Sequence, residues 1–210
     1  MVRAAPGSMR TMTASREKMV RSFIAIPVPR SGIEVLERAV KRLDSEIGGQ
    51  VRWVRPRGIH LTLKFMGDIP ASTLERVLEA LPQVTASFSL FEISMSGLGV
   101  FPNPRRPRVL WAGLDGDLAT LSALQIAVDQ AVEKLGLPKD DRPFSPHLTL
   151  GRVRRDTNEE QSRKIGYLMT NTRLQAPPSW TVETVDLMRT ELDPTGSRHY
   201  LVGSTTIGGG

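Results

Sequence analysis

The sequence predicts an α+β fold of two pseudo-symmetric lobes, each a small, mainly antiparallel sheet with outer helices, facing each other across a central cleft. Three observations carry this. A strand–helix–strand–helix run occurs twice. Each run contains the tetrapeptide His-Leu-Thr-Leu, at residues 60–63 and 147–150, and Phe23 precedes His60 by the same 37 residues that separate Leu110 from His147. The chain closes on a hairpin pattern, which favours antiparallel pairing over a doubly wound parallel sheet.

Residues 1–20 show neither helical nor strand periodicity and lack the 7–15-residue apolar core of a secretion signal. They are expected to form a disordered extension ahead of a single bilobal domain over residues 21–204. RSFIAIPV (21–28) is apolar and β-prone. Ser31 with Glu34 three residues on forms a capping-box pattern. Ile33, Leu36, Val40, Leu43 and Ile47 then recur at helical spacing, and Gly48–Gly49 ends the helix. Residues 51–66 hold two strand candidates around a Pro-Arg-Gly break. A short helix is expected at 72–81, again with Ser and Glu three apart, and a strand over 86–100. FPNPRRP (101–107) reads as a loop.

The pattern then restarts. RVLWAGL (108–114) is a strand, and Asp117 caps a helix carrying Leu121, Leu124, Val128 and Val132, stopped by Gly136. RPFSPHLTLGRV (142–153) leads into a strand, and a helix follows at 158–170. TVETVDLMRTEL (181–192) and SRHYLVGS (197–204) form the hairpin around Asp-Pro-Thr-Gly. Residues 205–210 are expected to be a flexible tail.

Composition narrows the classes. Of 210 residues, 40% are hydrophobic and 24% charged, which excludes wholesale disorder. Cysteine is absent, so disulfide scaffolds, thiolate metal sites and a cysteine nucleophile are excluded, consistent with a cytoplasmic protein. No apolar run is long enough to cross a membrane as a helix. The net charge is +6, but residues 1–22 hold five basic residues against one acidic, so most of the excess lies in the leader.

In a strand, side chains alternate faces, so His60 and Thr62 share one face and Leu61 and Leu63 the other. His147 and Thr149 repeat this against Leu148 and Leu150. Facing lobes would bring two histidines and two threonines to one cleft. A neutral imidazole can take a proton from water, an imidazolium can give one to a departing oxygen, and hydroxyls can hold phosphate oxygens without adding charge. The set suits in-line attack on a phosphodiester without a metal. Arg152, five residues after His147, could neutralise charge that builds on the phosphate. A metal site would need further ligands, and neither HLTLKF nor HLTLGR offers a carboxylate or second histidine on that face. Phe23 and Phe144 are candidate substrate contacts, each with an alternative role in packing. Trp53 reads as a packing residue and His199 as structural. Arg52, Arg55 and Arg57, and Arg105, Arg106 and Arg108, form two basic clusters that either track a nucleic-acid backbone or are simply solvated.

These motifs resemble those of the 2H phosphoesterases, and more closely the LigT-like group of RNA 2′,3′-cyclic phosphodiesterases, historically called 2′-5′ RNA ligases. The resemblance runs through RSFIAIPVP, Trp53 with HLTLKFMGD, GVFPNPRRPRVLWAGL (99–114), FSPHLTLGR (144–152) and LMRTELDPTGSRHYLV (187–202). It implies a bilobal LigT-like fold and opening of a terminal 2′,3′-cyclic phosphate on RNA, or of a cyclic nucleotide, to leave a 2′-phosphate. It implies that His147 activates water, His60 protonates the departing ribose 3′-oxygen, Thr62 and Thr149 hold the phosphate, and Arg152 contacts it. No cofactor, membrane or obligate protein partner is expected, and the protein should be a monomer. Reversible 2′-5′ ligation of RNA, and RNA or nucleotide binding without turnover, are the competing functions.

Overall fold

The computed structural model describes residues 17–193 and 196–208. Its elements run β1 (Met19–Pro27), α1 (Arg30–Ile47), β2 (Val51–Trp53), a 3-10 turn (Pro56–Gly58), β3 (His60–Pro70), α2 (Ala71–Thr85), β4 (Phe91–Phe101), β5 (Val109–Gly116), α3 (Leu118–Lys134), β6 (His147–Val153), α4 (Glu159–Asn171), β7 (Ser179–Val182), β8 (Thr184–Asp193) and β9 (Gly196–Thr206). The fold is α+β, and every strand pairing is antiparallel.

The strand order is β7-β4-β5-β6-β3-β1-β8-β9, with β2 added against β6. One half is β9-β8-β1-β3 and the other β6-β5-β4-β7. The two halves join through a single pair, Leu61 opposite Leu148, the second residue of each His-Leu-Thr-Leu segment. A pseudo-two-fold relation between the lobes therefore centres on those leucines. Both are buried, as are Leu63 and Leu150.

The helices are exchanged between lobes. The one following β1 packs on α4 and β2, while α3, which follows β5, packs on α2 and β3. Gly32 lets the start of the helix after β1 lie close against β4 of the other half of the sheet, since a Cβ there would lie 2.7 Å from Met95 Cε and 2.9 Å from Val28 Cγ1. Each repeat is thus covered partly by the other's helix, and neither lobe is a closed sequence unit.

Several local expectations shift. Prolines rather than Ser31 and Ser72 precede α1 and α2, so neither capping box forms: Pro29 and Pro70 take the cap positions with no side-chain bond. Glu34 pairs with Arg30 at 3.0 Å, and the Ser72 amide donates to Glu17 Oε1 at 2.8 Å. Asp117 does cap α3, accepting from the Thr120 amide at 2.9 Å. Asn158 and Gln161 form a full capping box on α4. The strand at 51–53 pairs with β6 and not with the strand that follows it.

Residues 1–16 of the expected extension lie outside the described residues, and Met19 already belongs to β1. The expected tail starts too early at 205. Strand β9 continues to Thr206, Thr205 Oγ1 meets Thr85 Oγ1 at 3.0 Å, and Ile207 is 4% exposed. The turn residues 194–195 and the end at 209–210 are not among those described.

Candidate active site

The Leu61–Leu148 pairing sets the site. Counting outward in an antiparallel register places His60 across from Thr149 and Thr62 across from His147, all on the face opposite the buried leucines. The two histidines then stand on a diagonal, roughly 7–8 Å apart at the backbone in a regular pair, a gap one phosphate can span with a hydrogen bond at each end.

The rings are oriented alike. His60 Nδ1 lies 2.8 Å from the Gly58 carbonyl, and His147 Nδ1 lies 2.7 Å from the Ser145 carbonyl, two residues back in each case. A carbonyl only accepts, so Nδ1 carries the proton and Nε2 is left as the reacting nitrogen in both. In the first lobe Phe23 stacks on His60 at 4.4 Å between ring centroids. In the second, Phe101 meets His147 edge-on at 5.1 Å.

A cavity of about 520 Å³ opens on this face. Its wall includes Phe23, His60, Thr62, Thr149 and Arg152 among the expected residues, together with Arg52, Trp53 and Arg55. Neither His147 nor Phe144 lines this cavity: His147 is placed by its register across from Thr62, and Phe144 packs against the core. The Trp53 indole nitrogen donates to Asp44 Oδ1 at 2.7 Å while its ring borders the cavity, which joins a packing role to a lining one. Arg57 and Arg105 do not reach it.

Bulges aim the next residues. In β3, Thr62 pairs with Ala25 but Lys64 with Ile24, so Leu63 is an extra residue and the alternation resets. In β6 the same happens at Leu150, between the pairs Trp111–Thr149 and Leu110–Gly151. As a result Phe65 and Arg152, each five residues after its histidine, return to the cleft face. Phe65 was not anticipated. Its ring is 49% exposed and sits 4.8 Å from the Arg21 guanidinium carbon. Arg152 lies directly across from Arg52 in the β2–β6 pair. Like charges in that position repel, so an anion between them is stabilising.

His199 also enters the site, against expectation. It reaches the cavity through the β8–β9 pairing, where it lies opposite Thr190, and Thr190 Oγ1 is 3.0 Å from its Nδ1. Its ring meets His60 at 5.3 Å and Phe23 at 5.0 Å, edge-on to both. No repeat marks it in the sequence; the signal is the fold's own hairpin. Burial, with a smaller contribution from repulsion by His199, pushes His60 down to about 4, and burial also lowers His199.

A stability effect follows from that shift. The folded state binds the His60 proton more weakly than the unfolded chain, so its penalty is absent above the unfolded value and grows as pH falls from about 6.5 towards 4. Between pH 7 and pH 5 this group should cost ~2 kcal/mol. Urea unfolding at both pH values should show the parent losing that much more than His60→Gln. Equal losses would contradict a buried neutral His60.

Two copies of the model for LigT like Phosphoesterase match the chain, over residues 26–111 and 114–199. An RNA 2′,3′-cyclic phosphodiesterase of Methanothermobacter thermautotrophicus is 35% identical over 180 residues, covering 84% of this chain and 93% of that protein. The enzyme of the same name from Aquifex aeolicus is 38% identical over 151 residues, 70% of this chain and 79% of that one. Among solved structures, TT0787 of Thermus thermophilus superposes with a TM-score of 0.70 at 27% identity, over 90% of this chain and 98% of that chain. Escherichia coli LigT, solved with 3′-AMP, shares the fold with a TM-score of 0.71 at 20% identity, over 90% and 99%. The two matched segments divide the chain as the repeat does, one His-Leu-Thr-Leu strand in each, and the chain belongs to the LigT-like phosphoesterase family.

Proposed function

We propose that the protein is an RNA 2′,3′-cyclic phosphodiesterase that opens a terminal cyclic phosphate to a 2′-phosphate by two-histidine acid–base catalysis. The observation that carries the reading is the diagonal His-Thr/His-Thr arrangement around the Leu61–Leu148 pair, with both Nδ1 atoms tied to carbonyls. The activity named for the relatives above agrees with it.

In the proposed reaction the cyclic phosphate lies between the strands, its non-bridging oxygens held by the Thr62 and Thr149 hydroxyls and by Arg152. Water attacks phosphorus and passes a proton to His147 Nε2. The bond from phosphorus to the ribose 3′-oxygen breaks, and that oxygen takes a proton from His60 Nε2. The 2′-oxygen keeps the phosphate. Burial favours a neutral His60, which must be charged to serve as the acid. The negative phosphate supplies the attraction that opposes burial and the repulsion from His199. Arginine charge near the phosphate stabilises the pentacoordinate transition state.

Among the described residues, no group of three or more His, Cys, Asp or Glu side chains is placed to hold a metal ion. Two imidazoles and arginine charge carry every step of the proposed route without one. Hydrolysis of a cyclic-phosphate-ended RNA is therefore expected at the same rate in EDTA. Loss in EDTA that a divalent ion restores would contradict the route. Both halves of the cleft come from one chain, which fits a monomer, and no described helix is long and apolar enough to cross a membrane. We place the activity in the cytoplasm, where a cysteine-free chain needs no oxidising compartment.

A further inference from the structure

A second cavity, of about 640 Å³, adjoins the first through Arg152, which borders both. Its wall holds five arginines, Arg106, Arg108, Arg152, Arg154 and Arg155, with the hydroxyls of Thr157 and Ser162, and no carboxylate. Among the described residues none of these five arginines forms an ion pair.

The pocket is built rather than incidental. The Arg106–Arg108 loop is tied at Arg108, whose N donates to Phe101 O at 2.7 Å and whose carbonyl accepts from Val153 N at 3.0 Å. Asn103 Oδ1 accepts from the Arg105 and Arg106 amides at 3.1 Å each. Gly166 of α4 leaves room for the Pro104 backbone where a Cβ would clash, so the loop lies flat on the helix. On the facing side Arg154 N donates to Gln50 O at 2.8 Å, and Arg154 Nε to Gly49 O at 2.8 Å. The backbone ties gather five arginines round one pocket, where their like charges repel unless an anion neutralises them. A wall of that kind, continuous with a cleft that takes a terminal phosphate, matches an extended polyanion and not a single charge.

We infer that this pocket binds the phosphodiester backbone of the RNA strand on the 5′ side of the reacting end, which makes an oligonucleotide, not a cyclic mononucleotide, the preferred substrate. The inference rests on the RNA-end reading above. Arg152 marks the junction: it contacts the reacting phosphate from one side, and the next phosphates run along Arg106, Arg108, Arg154 and Arg155. Neutralising several phosphates makes the preference salt-sensitive.

The test compares 2′,3′-cyclic AMP with an octaadenylate ending in a 2′,3′-cyclic phosphate, using the parent and an Arg106→Gln/Arg108→Gln/Arg155→Gln variant whose thermal midpoint is checked first. In the variant, the ratio of kcat/KM on the octamer to that on the mononucleotide should fall ~10-fold or more, through KM. The dependence of log kcat/KM for the octamer on log salt should become shallower by about 2, three contacts at ~0.7 each. A ratio equal to the parent's, or a parent that does not favour the octamer, would overturn the inference. If the parent turns over neither compound, it is the RNA-end reading that has failed. Fluorescence anisotropy with a labelled octamer bearing a 2′-phosphate then decides the pocket alone. Binding weakened ~10-fold in the variant supports the pocket, and equal binding overturns it. Equal weakening for ATP and the octamer would mark a free-nucleotide site and also overturn it.

Discussion

His60→Ala and His147→Ala are each expected to lower kcat by roughly 10²–10⁴-fold, the range for losing one acid–base partner in the transition state. The variants should remain folded. Both rings lie on the cleft face, and the leucines between their strands keep the packing. The pH dependence should change with them. The parent should give a bell-shaped kcat/KM profile, and each variant should lose one limb of it. Full activity in either variant would remove that histidine from the mechanism. An added 10²-fold loss in the double variant would show that the two do not act as a unit.

Lys64→Ala should cost about 3–5 kcal/mol of stability, a large fraction of what a domain of this size possesses. The ammonium is 2% exposed. It meets Asp129 Oδ1 of α3 at 2.5 Å and Asp140 Oδ1 at 3.3 Å, and donates to the Pro138 carbonyl at 2.7 Å. Removing it strands the Asp129 charge, itself 5% exposed, inside the fold. It also cuts the tie between β3 and the helix that crosses from the other repeat. Urea unfolding measures the loss. A Lys64→Met/Asp129→Leu pair should recover most of it, because no buried charge is left unpaired and Asp140, half exposed, is solvated. A loss under ~1 kcal/mol in Lys64→Ala would mean that the pair contributes no more than a surface salt bridge.

Lys64 also shows where the sequence stops being readable. Strict period two would put it on the cleft face with His60 and Thr62. The extra Leu63 turns it to the helix side and delivers Phe65 to the cleft instead. The second repeat contains the same device at Leu150, and it brings Arg152 to the matching place. Phe65 was therefore within reach, because it follows His60 by the five residues that separate Arg152 from His147. The repeat made the four motif residues, most strand positions and the α3 cap legible, since periodicity and Asp117 act locally. Three features depend on pairing between distant segments and carry no local mark. They are the exchange of α1 and α3 between lobes, the pairing of β2 with β6, and the arrival of His199 opposite Thr190. The missed capping boxes have a nearer cause: Pro29 and Pro70 fix the helix starts ahead of the serines.

The proposed reaction is regiospecific: the 3′-oxygen leaves and the 2′-oxygen keeps the phosphate. The measurement that tests it most directly is product identification from a short RNA ending in a 2′,3′-cyclic phosphate, incubated with the parent protein in EDTA and resolved into 2′- and 3′-phosphate ends. The account predicts the 2′-phosphate alone. A 3′-phosphate product, or an end left cyclic, would contradict it.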